Sequence, residues 1–400
     1  MNKIIQIQLI LLFMLFGVSG SIYAQSKVLK GTVMDSQSKM GIEGVVISSS
    51  DGKSFTLTND EGDFELTIDD QVKMLWFSQL NYQTKEVSTA STMLIELDLI
   101  NKDLEEIVMF SKSLDVVFKP ALQKVENLVE KGDLYRTYSR EFNMVNGTLS
   151  NVADGLVDYY IEKPTKTPKI EVEQNRVFYS IKDSEDASLE EVFNTIGLGD
   201  IREFLVNDGS ISKIKKILEE LDSYDFVTRK KVGLNGEETI VVEFEPKENL
   251  KGWKYYEGYV VFTADQQYLL EYKLRLSKSY EKNRKVHNFL ILKAYFNDWL
   301  WQGVYRKQGE HYTLFYKVAQ IDVQFIRKKW GSHRVNILRE VQVNEVEKNV
   351  EIPKIMKYRN RSLFSLKSNY QTEFWKNRNI RLLTTKEEAV LRALEERSQP

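Results

Sequence analysis

Between positions 26 and 99 the chain alternates apolar and polar residues in short bursts separated by turn-forming residues. In one of them, Phe55 and Leu57 alternate with threonines, and Phe64, Leu66 and Ile68 alternate on the far side of Asn59-Asp60-Glu61-Gly62. Asn and Asp side chains bond their own backbone, and Gly takes a positive φ without steric cost. That stretch predicts a β-hairpin burying one face. Comparable bursts at 28–34, 44–49, 54–58, 63–68, 74–78, 83–88 and 93–99 predict seven strands and a small antiparallel β-sandwich.

The period then lengthens. Leu114, Val117, Phe118, Leu122, Val125, Leu128 and Val129 recur at helical spacing. They predict an amphipathic helix over 113–131 with Gly132 as its C-terminal cap; Pro120 lies inside that span, and the alternative is a helix that begins near Lys119-Pro120, where proline is tolerated in a first turn. Alternation resumes downstream. Asn146-Gly147 and Asn235-Gly236 mark hairpins, because a type I′ turn needs two residues at φ > 0. Strands at 224–232 and 238–245 flank the second, and others follow at 256–263, 268–277, 288–296, 299–305, 312–317, 319–327 and 334–343. Within 268–277, Leu270, Tyr272, Leu274 and Leu276 form an expected buried face, with Glu271, Lys273 and Arg275 on a wet one. Ser188-Leu-Glu-Glu191 is a capping box opening a helix towards Ile196, and Ile214, Ile217, Leu218 and Leu221 share one face of a helix over 211–221. Thr384 to Glu388 caps a final helix that would dock through Val390, Leu391 and Leu394. The fold class expected is mainly β: a seven-stranded sandwich, then a large antiparallel sheet curved towards a half-barrel, with a few packed helices.

Composition adds a compartment. After Met-Asn-Lys, residues 4–16 are apolar apart from Gln6 and Gln8, and small residues lead to Ala24. This is the pattern of a cleaved secretory signal. No later stretch approaches the ~20 apolar residues of a membrane span. The absence of cysteine excludes disulfides, thiolate metal sites, a cysteine nucleophile and a lipid-anchoring lipobox. An exported, disulfide-free chain fits a periplasm or bacterial cell surface. A net charge of −2 leaves no global field to recruit nucleic acid. The expected organisation is 1–24 signal peptide, 26–100 sandwich, 101–113 connector, 114–345 sheet domain and 346–400 basic, aromatic tail with a C-terminal helix.

Several motifs in order carry a resemblance: Gly31-Thr-Val-Met-Asp35, Ile42-Glu-Gly-Val-Val46, Thr58-Asn-Asp-Glu-Gly-Asp-Phe64 and Phe77-Ser-Gln-Leu-Asn-Tyr82. Together they resemble the carboxypeptidase regulatory-like domain, a transthyretin-like sandwich common at the start of Gram-negative envelope proteins. Asn81 stands where that family usually has Gly, at a position where Asn can also take a left-handed backbone. The connector after the sandwich is similar to the segment that links this domain to an outer-membrane plug in receptor-type relatives; here no plug follows, and an extended strand is expected. The ordering of helix, meander and inserted helices in the second region, with Tyr138-Ser-Arg-Glu-Phe142, Gly155-Leu-Val-Asp-Tyr-Tyr160 and Gly258-Tyr-Val-Val-Phe-Thr-Ala-Asp265, resembles the half-barrel of periplasmic lipoprotein carriers. That likeness implies an apolar cavity, and Tyr256, Phe262, Tyr268, Tyr272, Phe289 and Phe296 would line it; the alternative is an ordinary core beneath the helices.

No motif assigns catalysis. His287, His311 and His333 are followed three residues later by Leu290, Leu314 and Asn336, so no His-x-x-Glu zinc pair exists. Asn59, Asp60, Glu61 and Asp63 lack the spacing of a calcium loop, and a turn accounts for them. There is no Gly-x-Ser-x-Gly elbow or phosphate loop, and Gly197-Leu-Gly199 reads as a helix break. Charged wet faces and a terminal helix argue against an outer-membrane barrel. From 354 to 381, eight basic residues and Glu373 interleave with Tyr358, Phe364, Tyr370, Phe374 and Trp375, a face for solvent, anionic lipid or an acidic partner. No catalytic, cofactor or metal residue is assigned. The expectation is a non-enzymatic exported envelope protein, a binding or structural adaptor whose partner is another envelope protein, lipid or lipoprotein. The alternatives are a lipid or lipoprotein carrier in an apolar half-barrel and a carboxylate-based hydrolase.

Overall fold

The computed structural model describes residues 26–101, 106–179, 200–206, 209–289, 292–327, 331–354, 358–369 and 381–398. The expected signal peptide, the helix from Ser188 to Ile196, Gly197-Leu-Gly199 and tail residues 370–380 lie outside them. Seven strands come first: β1 (Ser26–Asp35), β2 (Val46–Ser49), β3 (Phe55–Leu57), β4 (Asp63–Asp69), β5 (Met74–Gln79), β6 (Tyr82–Ser88) and β7 (Thr92–Leu97). They form two facing sheets, β4-β1-β7 and β3-β2-β5-β6. Alternating side chains such as Leu29, Val33, Leu66 and Leu75 fill the space between them, and Phe64 meets Phe77 edge to face at 5.7 Å. One pairing departs from the all-antiparallel expectation: β1 and β7 run parallel, because the chain changes sheets between β6 and β7.

The hairpin expected at Asn59–Gly62 does not form. β3 pairs with β2, and β4 pairs with β1 in the opposite sheet. The turn itself closes as its residues dictate: Gly62 N donates to the Asn59 carbonyl at 3.0 Å, and Asn59 Oδ1 accepts from Glu61 N and Asp63 N. Gly62 has φ +85°, and a Cβ there would lie 2.3 Å from the Val33 carbonyl. The chain therefore turns a corner between sheets. Phe55 and Leu57 face out of the sandwich, whereas Phe64, Leu66 and Ile68 face into it. Asn81 keeps a negative φ and needs no left-handed conformation.

The second region begins with α1 (Leu114–Glu126) and continues through β8 (Leu134–Val145), β9 (Thr148–Tyr160), β10 (Lys169–Tyr179), α2 (Ile201–Phe204), α3 (Ser210–Glu219), β11 (Tyr224–Val232), β12 (Glu238–Pro246), β13 (Tyr256–Thr263), β14 (Leu269–Leu276), β15 (His287–Phe289), β16 (Leu292–Gln308), β17 (His311–Arg327) and β18 (Gly331–Glu347). These strands make an open, eleven-stranded antiparallel sheet in the order β10-β9-β8-β18-β17-β16-β14-β13-β12-β11, with β15 added against β16. Both Asn-Gly pairs adopt positive φ, at the β8–β9 and β11–β12 turns. The two free edges are covered by the chain itself. Residues 106–108 run beside β11, with Val108 N bonding the Thr228 carbonyl at 2.9 Å, and Tyr358 and Asn369 bridge to Ile170 and Asn175 of β10. Covered edges suppress pairing with other chains.

The helices fill one face of this sheet. Phe118, Ala121 and Leu122 of α1 and Ile214, Ile217 and Leu218 of α3 join a core with Val260, Phe262, Tyr272 and Leu274. The α1 helix ends at Glu126, capped by Asn127, so Gly132 is not its cap, and Pro120 lies in its interior. There the ring removes one backbone donor, and the burial of Phe118 and Leu122 outweighs that loss. Bulges correct three strand expectations. One between β13 and β14 puts Leu269 into the core and turns Leu270 to the opposite face. Another at Asn297 joins 288–296 and 299–305 within or beside the single strand β16, and β17 spans both 312–317 and 319–327.

The opposite face, expected to be wet, receives the sandwich. Val46, Phe55 and Leu57 pack on Val304, Phe315, Tyr316 and Val318. An irregularity near Phe315 lets it and Tyr316 point the same way, so both reach the sandwich. Glu271 and Lys273 line spaces shared with the sandwich and are half-buried, as is Arg275, which pairs with Asp298 at 2.5 Å. Beyond the sandwich, α4 (Thr385–Ser398) covers the same face through Leu391, against Phe142, Leu149, Val152 and Phe178. Its capping box is formed, with Thr384 N donating to Glu387 Oε2 at 2.8 Å and Glu387 N to Thr384 Oγ1 at 3.1 Å. Glu61 extends the cap, accepting from both N and Oγ1 of Thr385 at 2.8 Å. Among the described residues no helix is long and apolar enough to cross a membrane.

A surplus of carboxylates on β9 and its neighbours gives the sheet a pH signature. Arg136 faces Asp158 at 3.1 Å, Glu347 at 2.6 Å and Glu173 at 3.7 Å. Burial, and secondly Glu173, push the Asp158 carboxyl up to about 6 against the pull of Arg136. A carboxyl raised in the folded state adds stability below its unfolded pKa of about 4, and that contribution is lost as pH rises through about 6. Asp158→Asn is therefore expected to flatten the fall in unfolding free energy between pH 4 and 6, measured by urea titration at stepped pH. An unchanged profile would remove Asp158 as its source.

Candidate functional site

The expected lining residues separate into three places. Phe262 and Tyr272 are fully buried under the helices. Phe118 stacks on Phe262 with ring centres 4.0 Å apart, and Ser210 Oγ donates to Tyr272 Oη at 2.8 Å. Gly303 permits this packing, since a Cβ there would meet the Tyr272 ring at 2.4 Å. An acyl chain could enter only by displacing α1 or α3. Tyr268 lies at the C-terminal end of α1, its ring beneath Lys124 Nζ at 3.8 Å and beside Tyr312. The Phe289 side chain lies outside the description. Tyr256 lines a cleft, and Phe296 lies behind it, against Trp253 of the cleft wall.

That cleft lies between α3, the β12–β13 loop and the start of β13, with a volume of about 610 Å³. A row of rings runs beside it: Trp253 stacks on Phe296 at 6.3 Å, Phe296 on Trp299 at 5.8 Å and Trp299 on Trp301 at 4.8 Å, while Tyr256 meets Trp301 edge-on at 5.6 Å. The bulge at Asn297 creates the row. In a regular strand Phe296 would face away from Trp299 and Trp301; the extra residue brings all three to one face, opposite Val323, Ile321 and Ala319. Lysines complete the surface. Lys213 Nζ lies 4.5 Å from the Trp301 ring centre and Lys254 Nζ 5.9 Å from that of Trp299, and Lys216 and Lys251 add to the rim. Glu220 offsets part of this charge, with a carboxylate oxygen 3.5 Å from Lys216.

Three buried polar atoms in and near the ring row find no hydrogen-bond partner among the described residues: Trp299 Nε1, Tyr256 Oη and His287 Nε2. Burial raises the Tyr256 phenol far above its ordinary range, so it stays neutral and able to donate. Each unpaired group costs about 1–3 kcal/mol, a cost that an acceptor on a bound molecule would offset. Sequence reasoning missed Trp253, Trp299, Trp301, Lys213 and Lys254. The available signal was the Trp-Leu-Trp run at 299–301 together with Trp253, which hold three of the chain's six tryptophans.

A second polar concentration lies where the sandwich meets the sheet, around a cavity of about 270 Å³. Arg140 bonds Glu340 Oε1, Tyr316 Oη donates to Glu340 Oε2 at 2.6 Å, and Arg381 bonds Asp60. Burial works to raise the Glu340 carboxyl, but Arg140 and Arg381 outweigh it and hold the group below the usual carboxylate range. Asp60 goes the other way, raised by burial against Arg381. Both Glu340 oxygens and Asp60 Oδ1 are thus committed to internal partners, which suits an ion-paired joint between the units. His287 sits among the rings, His333 Nδ1 lies 3.3 Å from Asn146 Nδ2, and His311 opens β17. Among the described residues no three His, Cys, Asp or Glu side chains gather as metal ligands.

No family model matches the chain, and no curated protein matches it. Among solved structures, one titled "Lipid-protein interactions in lipovitellin" aligns over 68% of this chain at 11% identity with a TM-score of 0.25; the chain spans about a third, 31%, of that protein's length. A structure of MucB in complex with MucA(peri) aligns over 59% of this chain and 100% of the other, at 9% identity and a TM-score of 0.17. Scores this low carry no argument about fold or function.

Proposed function

We propose that the protein is a non-enzymatic binding protein of the cell envelope, and that the cleft beside α3 receives the acidic headgroup of an anionic lipid. The N-terminal sandwich, read as a carboxypeptidase regulatory-like module, serves as a structural adaptor seated on the back of the sheet. The observation carrying this reading is the ring row from Trp253 to Trp301 with lysine ammonium groups fixed above it. Ammonium groups over indole faces are attracted by the ring quadrupole, and they present positive charge beside apolar surface, a combination that matches a negative headgroup and the first methylenes of its chains. The packing of Phe118 on Phe262 moves lipid contact from the sheet's interior, where the half-barrel likeness put it, to this rim. An export signal in the sequence supports the compartment.

Co-sedimentation with vesicles provides the test. Vesicles containing phosphatidylglycerol should bind the protein and purely phosphatidylcholine vesicles should not. Lys213→Glu together with Lys254→Glu should weaken binding at least about tenfold, as expected from roughly 1 kcal/mol per basic residue near a charged surface. Equal binding to neutral vesicles, or charge-reversed protein that binds as before, would sink the proposal.

A further inference from the structure

A third cavity, of about 110 Å³, lies in the seam between the sandwich and the sheet, away from the aromatic cleft. Arg306 lines it. The guanidinium carbon lies 4.9 Å from the ring centre of Phe55 in the sandwich and 5.0 Å from that of Phe315 in the sheet. Those two rings are themselves in contact, with centres 5.6 Å apart. The position is unusual for an arginine in this chain. Arg140, Arg229, Arg334 and Arg339 each meet a carboxylate within salt-bridge distance. Arg306 meets none among the described residues, and none of its donors bonds a protein acceptor there. The two rings satisfy the charge in part but accept none of its five N–H donors in the guanidinium plane. Burial alone pushes the guanidinium down to about 10, so it remains charged at neutral pH.

The rest of the wall is mixed. Lys231 and Lys307 bring two more positive charges; Lys231 Nζ is already committed to the Gln79 carbonyl. Glu237 and Glu271 also line the space. Glu271 accepts from Tyr259 Oη and Gln302 Nε2, and burial raises its carboxyl, which lessens its competition for Arg306. Leu80 from the sandwich, Leu234 from the β11–β12 turn and Leu270 from β14 supply apolar surface. Leu270 faces this way only because of the bulge that separates it from the core.

We propose that this cavity is a carboxylate site, taking a small aliphatic acid whose two oxygens meet the Arg306 fork and whose short chain lies against the three leucines. A planar guanidinium suits a carboxylate because both offer two parallel contacts, which a point charge does not. The walls come from both units, so occupancy ties the sandwich to the sheet and stabilises only the docked arrangement.

Saturation-transfer NMR on the full chain with butyrate tests this. Signal should pass to the butyrate methyl protons, butyrate should raise the melting temperature, and butanol and butylammonium should neither receive signal nor compete. Arg306→Met should weaken butyrate at least tenfold, and Arg306→Lys should fall between it and the parent. The butyrate, butanol and butylammonium comparison on unaltered protein decides the matter even where Arg306→Met fails to fold. Absence of transfer to butyrate, equal competition by butanol, or a folded Arg306→Met protein that binds as well as the parent would each overturn the assignment. Binding of inorganic phosphate with none of butyrate would overturn it too, since the apolar wall would then have no part.

Discussion

Arg140→Met is expected to lower the unfolding free energy by about 3–5 kcal/mol, the usual effect of stranding one member of a buried ion pair. Arg140 is 1% exposed and Glu340 3%. Losing the guanidinium leaves Glu340 with one phenol donor, Tyr316, in a site sealed by the sandwich and Arg381. The double variant Arg140→Met, Glu340→Leu should recover most of the loss, because neither charge is then left unmet. Urea midpoints for the two single variants and the double close the cycle. Additive losses would mean that the pair is not coupled. The pair also guards register. Arg140 lies opposite Glu340, and the next residues, Glu141 and Arg339, lie opposite one another with the signs exchanged and point to the other face. A slip of one residue would set Arg140 across from Arg339 or Val341, a mismatch that a purely apolar pair of strands would tolerate.

Phe118→Ala should cost a comparable amount, about 3–5 kcal/mol for a large aromatic removed from a core. Phe118 has no exposed surface, stacks on Phe262 and meets Phe110 edge-on at 5.5 Å. The variant also separates two ideas of how the sheet is used. If α1 is part of a permanent core, the folded variant loses stability and takes up no fatty acid. If α1 is a lid over an acyl site, truncating Phe118 enlarges that site and fluorescent fatty-acid uptake by the folded variant rises. The stacking and the Ser210–Tyr272 hydrogen bond favour the first outcome, and fluorescence titration beside a urea midpoint reads both at once.

Much of the fold was legible from side-chain period. The seven N-terminal strands, the two Asn-Gly turns and the helix over Ile214–Leu218 follow from local pattern and turn chemistry alone. Pairing was less legible. Phe55-Thr-Leu57 and Phe64-Glu-Leu66 look like two arms of one hairpin, yet the first pair of apolar residues belongs to the seam and the second to the sandwich core. Period reveals that a face is buried but not what buries it. The same limit made Glu271 and Lys273 look wet, since nothing local announces that another unit docks beside them. The ring row was hidden for a different reason. It depends on one extra residue at Asn297, and a bulge is invisible to strict alternation: it presents as two short strands where there is one long one. Arg306 was unreadable because its distinction is that no carboxylate meets it among the described residues, and sequence cannot show that.

The strand order has a consequence for how the chain reaches this state. β8 sits inside the sheet, yet its inner neighbour is the last strand, and Arg140 waits for a glutamate 200 residues further on. Closing so long a loop adds only a logarithmic entropy cost, but pairings of high contact order are formed slowly. Until β18 arrives, the β8–β10 meander carries an open hydrogen-bonding edge along β8, where Arg140 and Glu141 wait for their partners, and a second along β10, which residues 358–369 cover later still. A chain emerging from a ribosome or a translocation pore would hold the β8 edge open until β18 has followed, which makes it a natural substrate for holding chaperones and places its cooperative folding step after the synthesis of β18.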